Sequence, residues 1–171
     1  TKYFAWQAWN DVDKSAQARR SIVRGPSRPG SGRKSALSGK KHRESLDIPG
    51  AKHAAPIPMG ARVGNMVFSS GIMGQDPATG ELPKDPELQA EFAFVNMAAL
   101  MKAAGGGVAD IGHLTVFIKN DAMRPLVNKH WLKMFPDEHD RPARHAIVLD
   151  LPGGMMVQLE LIAVLKEGAG K

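Results

Sequence analysis

The spacing of apolar residues predicts a first helix between Asp85 and Ala104. Asp85 suits the N-cap position, Pro86 suits the first helical position, and Gly105 suits the stop. Four apolar residues in this segment follow one another at intervals of four, three and four positions, which places them on one side of a helix. This stripe, which we expect to face a sheet, consists of Leu88, Phe92, Val95 and Ala99.

A second helix is predicted after Asp121, which is placed to cap it, and before Pro136, which would end it. Its apolar stripe includes Val127, Trp131 and Met134.

Short apolar or alternating segments predict strands before, between and after the two helices. Residues 76–80 have the composition of a turn, with a proline near the start and a glycine at the end. The order of strands, helix, strand, helix and strands predicts an α+β fold with both helices on one face of a mixed sheet. The predicted strands are Leu46–Ile48, Arg62–Val63, Met66–Ile72, Ile111–Lys119, Arg144–Leu149 and Met156–Val164.

The last two predicted strands flank the short Gly-rich segment 151–154, which predicts an antiparallel hairpin. If this hairpin pivots near Pro152, Arg144 and Glu160 become cross-strand neighbours on one face of the sheet. Glu160 lies in an otherwise almost wholly apolar strand, where a charge is rarely buried without a partner. The residues alone allow two interpretations: an ion pair that orders the hairpin, or a guanidinium that binds a substrate carboxylate beside a carboxylate that holds a water.

The composition is that of an ordinary globular protein, with 43% hydrophobic and 23% charged residues in a chain of 171. No apolar run approaches the roughly 20 residues that span a bilayer, so we expect no membrane association. The chain has no cysteine, which excludes disulfides, thiolate nucleophiles and cysteine-ligated metals. This composition fits a reducing compartment, and we expect a cytoplasmic protein.

The net charge of +6 is not evenly distributed. Residues 1–44 hold eleven basic and three acidic side chains, a balance of +8, whereas residues 45–171 hold twelve and fourteen, a balance of −2. Since the segment from Ala16 to Arg43 is rich in Ser, Gly, Pro and basic residues, we interpret 1–44 as a flexible extension of a domain that spans 45–171. Three alternatives for the extension remain: an arm that binds nucleic acid or a partner, a transit peptide, and an over-extended reading frame. The charge of the domain gives no reason to expect that the domain itself binds nucleic acid.

From about residue 45 to 167 the chain resembles the RidA/YjgF family of imine and enamine deaminases. Each matching segment is weak alone, and the resemblance rests on their order and spacing. The segments are Pro56–Pro58, Val63–Gly71, Asp76–Glu81, Asn96–Gly105, Thr115–Lys119, Val127–Phe135, Arg141–Arg144 and Glu160–Val164.

The resemblance implies a chorismate-mutase-like subunit that assembles as a homotrimer, with a cleft between each pair of neighbours. The hallmark arginine of the family falls on Arg144, which would bind the carboxylate of a 2-imino or 2-enamino acid. Its cleft glutamate falls on Glu160, which would position the attacking water. Hydrolysis would yield a 2-oxo acid and ammonia, and it would need no metal or other cofactor because a protonated imine is already electrophilic.

Further positions of the family cleft fall on Ser70, Gly71 and Asn128, the last of which is equally suited to a structural hydrogen bond. Three cleft positions differ from those of well-known deaminases and carry aliphatic residues in place of tyrosine, glutamine and cysteine. These residues, which imply a more apolar substrate, are Ile57, Ile72 and Ala146.

The segment from Arg141 to His145 has the sequence Arg-Pro-Ala-Arg-His, which resembles a less characterised branch of the family. His145 alternates with Arg144 and so is expected on the opposite face of its strand, in a structural role. It shows no metal-ligand spacing with His113 or His130, and we expect no metal site.

The first functional hypothesis is therefore a hydrolytic deaminase of reactive imines or enamines. A dedicated catabolic deaminase, with a substrate that resembles aminomuconate, is an alternative. A trimer that binds a small ligand or a partner without catalysis is another.

Overall fold

The computed structural model describes residues 42–51 and 53–166. The interpretation of 1–44 as a flexible extension falls almost entirely outside these residues, although the first strand already begins at Arg43. A short 3₁₀ turn at Val108–Asp110 precedes the fifth strand. The strands and helices are β1 (Arg43–Leu46), β2 (Gly60–Val63), β3 (Met66–Ser69), β4 (Ile72–Met73), α1 (Pro86–Ala103), β5 (Ile111–Ile118), α2 (Met123–Met134), β6 (Ala143–Val148) and β7 (Val157–Val164).

The strands form one sheet in the order β1-β2-β3-β7-β5-β6, and β4 also pairs with β7. All pairings are antiparallel except that of β5 with β6, which is parallel. The buried sides of both helices and of the central strands belong to one hydrophobic core. The predicted α+β architecture, a mixed sheet with two helices on one face, is confirmed.

The predicted hairpin of β6 and β7 is wrong, because β5 lies between these two strands. Leu114 of β5 is in register with Arg144 on one side, and Thr115 is in register with Glu160 on the other. The chain from β5 through α2 to β6 is a β-α-β unit, whose crossover returns β6 parallel to β5. The Gly-rich loop after β6 therefore carries the chain past β5 to its other edge and does not turn it back on β6.

The α1 helix has the predicted ends but not the predicted buried side. Asp85 accepts a hydrogen bond from the backbone N–H of Glu87 at 2.9 Å, and Gly105 takes a positive φ of 81° after the last turn. Of the predicted stripe only Ala99 is buried, whereas the other three residues are half-buried. Because the helix is apolar around most of its circumference, the spacing rule also fits sides other than the one that packs on the sheet. The apolar residues that α1 buries are Ala90, Ala93, Phe94, Met97, Ala99, Leu100 and Met101.

The predicted cap of α2 is also wrong. The Asp121 carboxylate accepts a hydrogen bond from Nε of Arg124 at 2.7 Å, and it is the Asn120 side chain that accepts from the N–H of Ala122. The apolar stripe is largely as predicted, since Val127 and Trp131 are buried.

Candidate active site

Arg144 extends from β6 towards α2, on the face of the sheet that the helices cover. Its Nη2 donates a hydrogen bond to Oδ1 of Asn128 at 2.8 Å. Its guanidinium carbon lies 4.6 Å from the ring centroid of Trp131, in the geometry of a cation–π contact. Asn128 and Trp131 are three positions apart on α2 and therefore share one side of the helix. Two contacts from one helix thus fix the plane of the guanidinium.

A small cavity of about 50 Å³ lies beside this guanidinium. It brings together three of the residues predicted from the sequence, namely Arg144, Asn128 and Ala146. Burial lowers the pKa of Arg144, and the positive charge of Arg124 lowers that pKa further. Since an arginine stays protonated in proteins, this shift indicates a partly desolvated cation that a negative ligand would stabilise. The remaining lining residues are Val116, Ile118, Arg124 and Val127.

Glu160 is exposed and lies on the opposite face of the sheet. Its register partner is Thr115, whereas that of Arg144 is Leu114, and consecutive residues of a strand point to opposite faces. The expectation that Arg144 and Glu160 share one face within a chain is therefore wrong. His145 is in register with Thr115, so it lies on the face of Glu160 and opposite to Arg144, as predicted.

Three more of the predicted residues lie either before β2 or at the short connection from β3 into β4. The Ser70 hydroxyl donates a hydrogen bond to the carbonyl oxygen of Pro58 at 2.7 Å, which fixes the chain before β2. Ile72 is completely buried opposite Leu159, so the prediction that its side chain lines a cleft is wrong. Ile57 is half-exposed in the loop that leads to β2.

Gln158 is a residue that the sequence interpretation missed. Its side chain lies directly against Gly71, where an added Cβ would come within 2.3 Å of the amide nitrogen. It precedes Glu160 by two positions on β7 and so shares its face of the sheet. None of the hydrogen bonds found among residues 42–51 and 53–166 uses the Gln158 amide. The alternation of β7 would have placed Gln158 beside Glu160, but nothing in the sequence indicated its contact with Gly71.

The candidate residues therefore fall into two groups on opposite faces of the sheet. The arginine group, on the helix side, consists of Arg144, Asn128, Trp131 and Ala146. The glutamate group, on the open side, consists of Gly71, Gln158 and Glu160. The first group offers a cation for a carboxylate, and the second offers an amide and a carboxylate that can orient a water.

The family of this chain is decided by its similarity to known proteins. Residues 52–165 match the family model described as Endoribonuclease L-PSP, and several matching relatives bear deaminase names. The chain belongs to the RidA/YjgF family. Its relatives include TdcF of Escherichia coli K12, which is classed by name among reactive intermediate deaminases and is 38% identical over 128 residues, or 73% of this chain and 97% of TdcF. The 2-iminobutanoate/2-iminopropanoate deaminase of the same organism is 36% identical over 111 residues, or 64% of this chain and 87% of that enzyme.

Solved structures of RidA/YjgF proteins share the fold. The crystal structure of Escherichia coli TdcF with bound serine has a TM-score of 0.62 and 36% identity, and the match covers 74% of this chain and all of that one. The structure of the YjgF gene product of Escherichia coli has a TM-score of 0.64 and 32% identity, over 72% of this chain and 99% of the other. The family predicted from the sequence is confirmed.

In residues 42–51 and 53–166, no three His, Asp or Glu side chains are grouped as the ligands of a metal ion. Neither helix described there combines the length and the apolar composition of a membrane-spanning segment.

Proposed function

We propose that this RidA/YjgF chain is a cofactor-free hydrolytic deaminase, which converts reactive 2-imino or 2-enamino acids to 2-oxo acids and ammonia. The observation that carries the proposal is the Arg144 guanidinium at its cavity, fixed by Asn128 and Trp131 and paired with no carboxylate of the described residues. The deaminase names of TdcF and of the 2-iminobutanoate/2-iminopropanoate deaminase support it.

The reaction begins when the guanidinium of Arg144 binds the substrate carboxylate, which holds the adjacent C=N carbon at a fixed distance from that guanidinium. A water oxygen forms a bond to that carbon while the π electrons of the C=N bond move to nitrogen, which holds or takes a proton. Glu160 orients this water and accepts its proton. The carbinolamine then collapses: its nitrogen takes the proton that Glu160 holds, its hydroxyl gives its own proton back to Glu160 as the C=O bond forms, the C–N bond breaks, and the nitrogen leaves as ammonia.

The separation of the two groups has a consequence for assembly. Because the arginine and glutamate groups lie on opposite faces of one sheet, a site that uses both must combine two subunits. The open face also carries two exposed cross-strand apolar pairs, Met66 with Val164 and Phe68 with Ile162, all 37–51% exposed. Large apolar side chains in such pairs favour burial against another protein surface. We infer a homotrimer in which Glu160 of one subunit faces Arg144 of a neighbour.

Ala146 favours a narrower version of this function. Together with Val116 and Val127 it gives the cavity apolar walls, which suit the aliphatic part of a substrate. A dedicated catabolic deaminase with an aminomuconate-like substrate would use such walls.

The non-catalytic alternative is a trimer that binds a small carboxylate at Arg144 without hydrolysing it. RNA cleavage, which the name of the family model raises, is less favoured because residues 45–171 carry a balance of −2.

The experiment that tests the proposed function generates the imine in situ with an amino-acid oxidase and follows the release of 2-oxo acid with and without the protein. Arg144→Ala should abolish the acceleration, because a single guanidinium anchors the substrate. Lys84→Ala, which removes an exposed cation elsewhere, is the matched control. Full activity of the Arg144 variant would remove the carboxylate-anchor role, and inactivity of the wild type on every imine would favour the non-catalytic alternative.

A further inference from the structure

A second guanidinium lies at the cavity of Arg144. Arg124 is in the first turn of α2, one turn before Asn128, and it lines the same cavity. Its side chain is 47% exposed, which places it at the mouth of the cavity. The influence of Arg124 on the pKa of Arg144 reflects the same proximity.

The positive charge of this mouth is only partly balanced. Nε of Arg124 donates a hydrogen bond to the Asp121 carboxylate at 2.7 Å, and Asp121 lies three positions earlier in the sequence. The Asp121 side chain is 77% exposed, so this ion pair lies at the surface. Exposed ion pairs of this kind contribute little to stability. In the part of the chain that the structure describes, no hydrogen bond engages the two Nη groups of Arg124. Two cations therefore border a cavity that has no acidic residue in its lining.

We propose that Arg124 binds a second acidic group of the substrate, so that the preferred substrates are dicarboxylic 2-imino or 2-enamino acids. This inference rests on the proposed function, because it takes Arg144 as the anchor of the carboxylate next to the imine. The cavity of about 50 Å³ holds little more than that carboxylate, so the rest of the substrate leaves through the mouth. There the apolar walls contact its aliphatic carbons, and Arg124 meets the distal carboxylate.

The kinetic test compares two imines made in situ, one from glutamate by glutamate oxidase and one from alanine by an amino-acid oxidase. The wild type should prefer the dicarboxylic imine in kcat/KM. Arg124→Met should lower kcat/KM for that imine by about 10- to 100-fold, the equivalent of one hydrogen-bonded charge, and change the value for the alanine imine by less than about threefold. Arg124→Lys keeps the charge but not the planar fork of donors, so its kcat/KM for the dicarboxylic imine should lie between those of the wild type and Arg124→Met.

The control for a general loss of positive charge is Lys84→Met, which should leave both rates unchanged. An equal loss on both imines in Arg124→Met would overturn the proposal, since Arg124 would then act only through Arg144. A wild type that does not distinguish the two imines would overturn it as well.

A binding measurement separates this proposal from the proposed function. Isothermal titration of 2-oxoglutarate and 2-oxobutanoate should show tighter binding of the former to the wild type, and the difference should disappear in Arg124→Met. If no imine is hydrolysed but this difference is found, the deaminase function fails and the second subsite stands. If imines are hydrolysed and the difference is missing, the function stands and the subsite fails.

Discussion

Asn128 accepts a hydrogen bond from Arg144 at 2.8 Å, and this contact joins α2 to the edge strand β6. The bond occupies Nη2 of the guanidinium, while no hydrogen bond among the described residues uses its Nη1 or Nε beside the cavity. Asn128 is a neutral acceptor, so it holds the guanidinium without cancelling its charge. A carboxylate in the same place would compete with the substrate.

Asn128→Asp should therefore raise KM by about tenfold or more, which corresponds to about 1.4 kcal/mol of lost binding, and should lower kcat by a smaller factor. Asn128→Ala should cause a smaller rise, because it loosens the guanidinium but leaves it unpaired. Steady-state kinetics on one imine measure both. Asn65→Asp adds a carboxylate in the turn between β2 and β3 and serves as the control. Equal effects of Asp and Ala at 128 would show that charge competition is not the cause.

Gln158 allows a test of the glutamate group, because its amide lies on Gly71 beside Glu160. We expect Gln158→Leu to lower kcat/KM by about tenfold, since an amide that orients water or substrate is worth one hydrogen bond. Gln158→Glu should raise KM for anionic substrates, and the rise should grow with pH as the new carboxyl ionises. Gln75→Leu is the matched control, a half-buried glutamine whose side-chain oxygen also lacks a partner among the described residues. Unchanged kinetics in both Gln158 variants would assign this side chain to packing alone.

The sequence predicts local elements well, because their determinants are local. Asp85, Pro86 and Gly105 specify the ends of α1 within a few residues of each position, and each end lies where these residues predict. The buried side of α1 could not be predicted, since it depends on which of several apolar sides fits the sheet. Small residues such as Ala90 and Ala93 pack there, where a spacing rule favours the larger Leu88 and Phe92.

The candidate site was predicted as a set of residues but not as an arrangement. The loop 151–154 is compatible with a hairpin, and only the competition for the edges of β5 decides that β6 and β7 take opposite sides of it. The contact of Arg144 with Asn128 depends on the β-α-β crossover, which brings together residues sixteen positions apart. No pairwise pattern in the sequence carries that information.

Glu87 links the two helices and predicts an acid-sensitive contribution to stability. Its carboxylate forms an ion pair with Lys129 and accepts a hydrogen bond from Nε2 of His130 at 3.1 Å, and both residues are on α2. The hydrogen bond from Lys129 is the main cause of its lowered pKa, which burial opposes. A carboxyl whose pKa is lower in the folded than in the unfolded chain stabilises the fold above the unfolded pKa, and this contribution is lost as the pH falls through the folded pKa.

Glu87→Gln should therefore lower Tm near neutral pH by about 2–4 °C and make Tm less sensitive to acid. Thermal unfolding between pH 3 and 7 would measure both effects. Glu138→Gln, at an exposed position, should leave the profile unchanged, and a Glu87→Gln profile parallel to that of the wild type would contradict the expectation.

The opposite faces of Arg144 and Glu160 make subunit complementation the sharpest test of a shared site. In the homotrimer proposed above, the Arg144→Ala and Glu160→Ala variants should each be inactive, because each lacks one group in all three clefts. When the two variants are mixed and their subunits exchanged, a cleft is intact wherever an unaltered Arg144 meets an unaltered Glu160 of the next subunit. Random assembly gives this arrangement in about one quarter of the clefts of a cyclic trimer. Activity should therefore recover to about a quarter of the wild-type value, whereas a site contained within one chain would recover none. Native mass spectrometry confirms the exchange, and a mixture that exchanges without recovering activity would contradict the shared site.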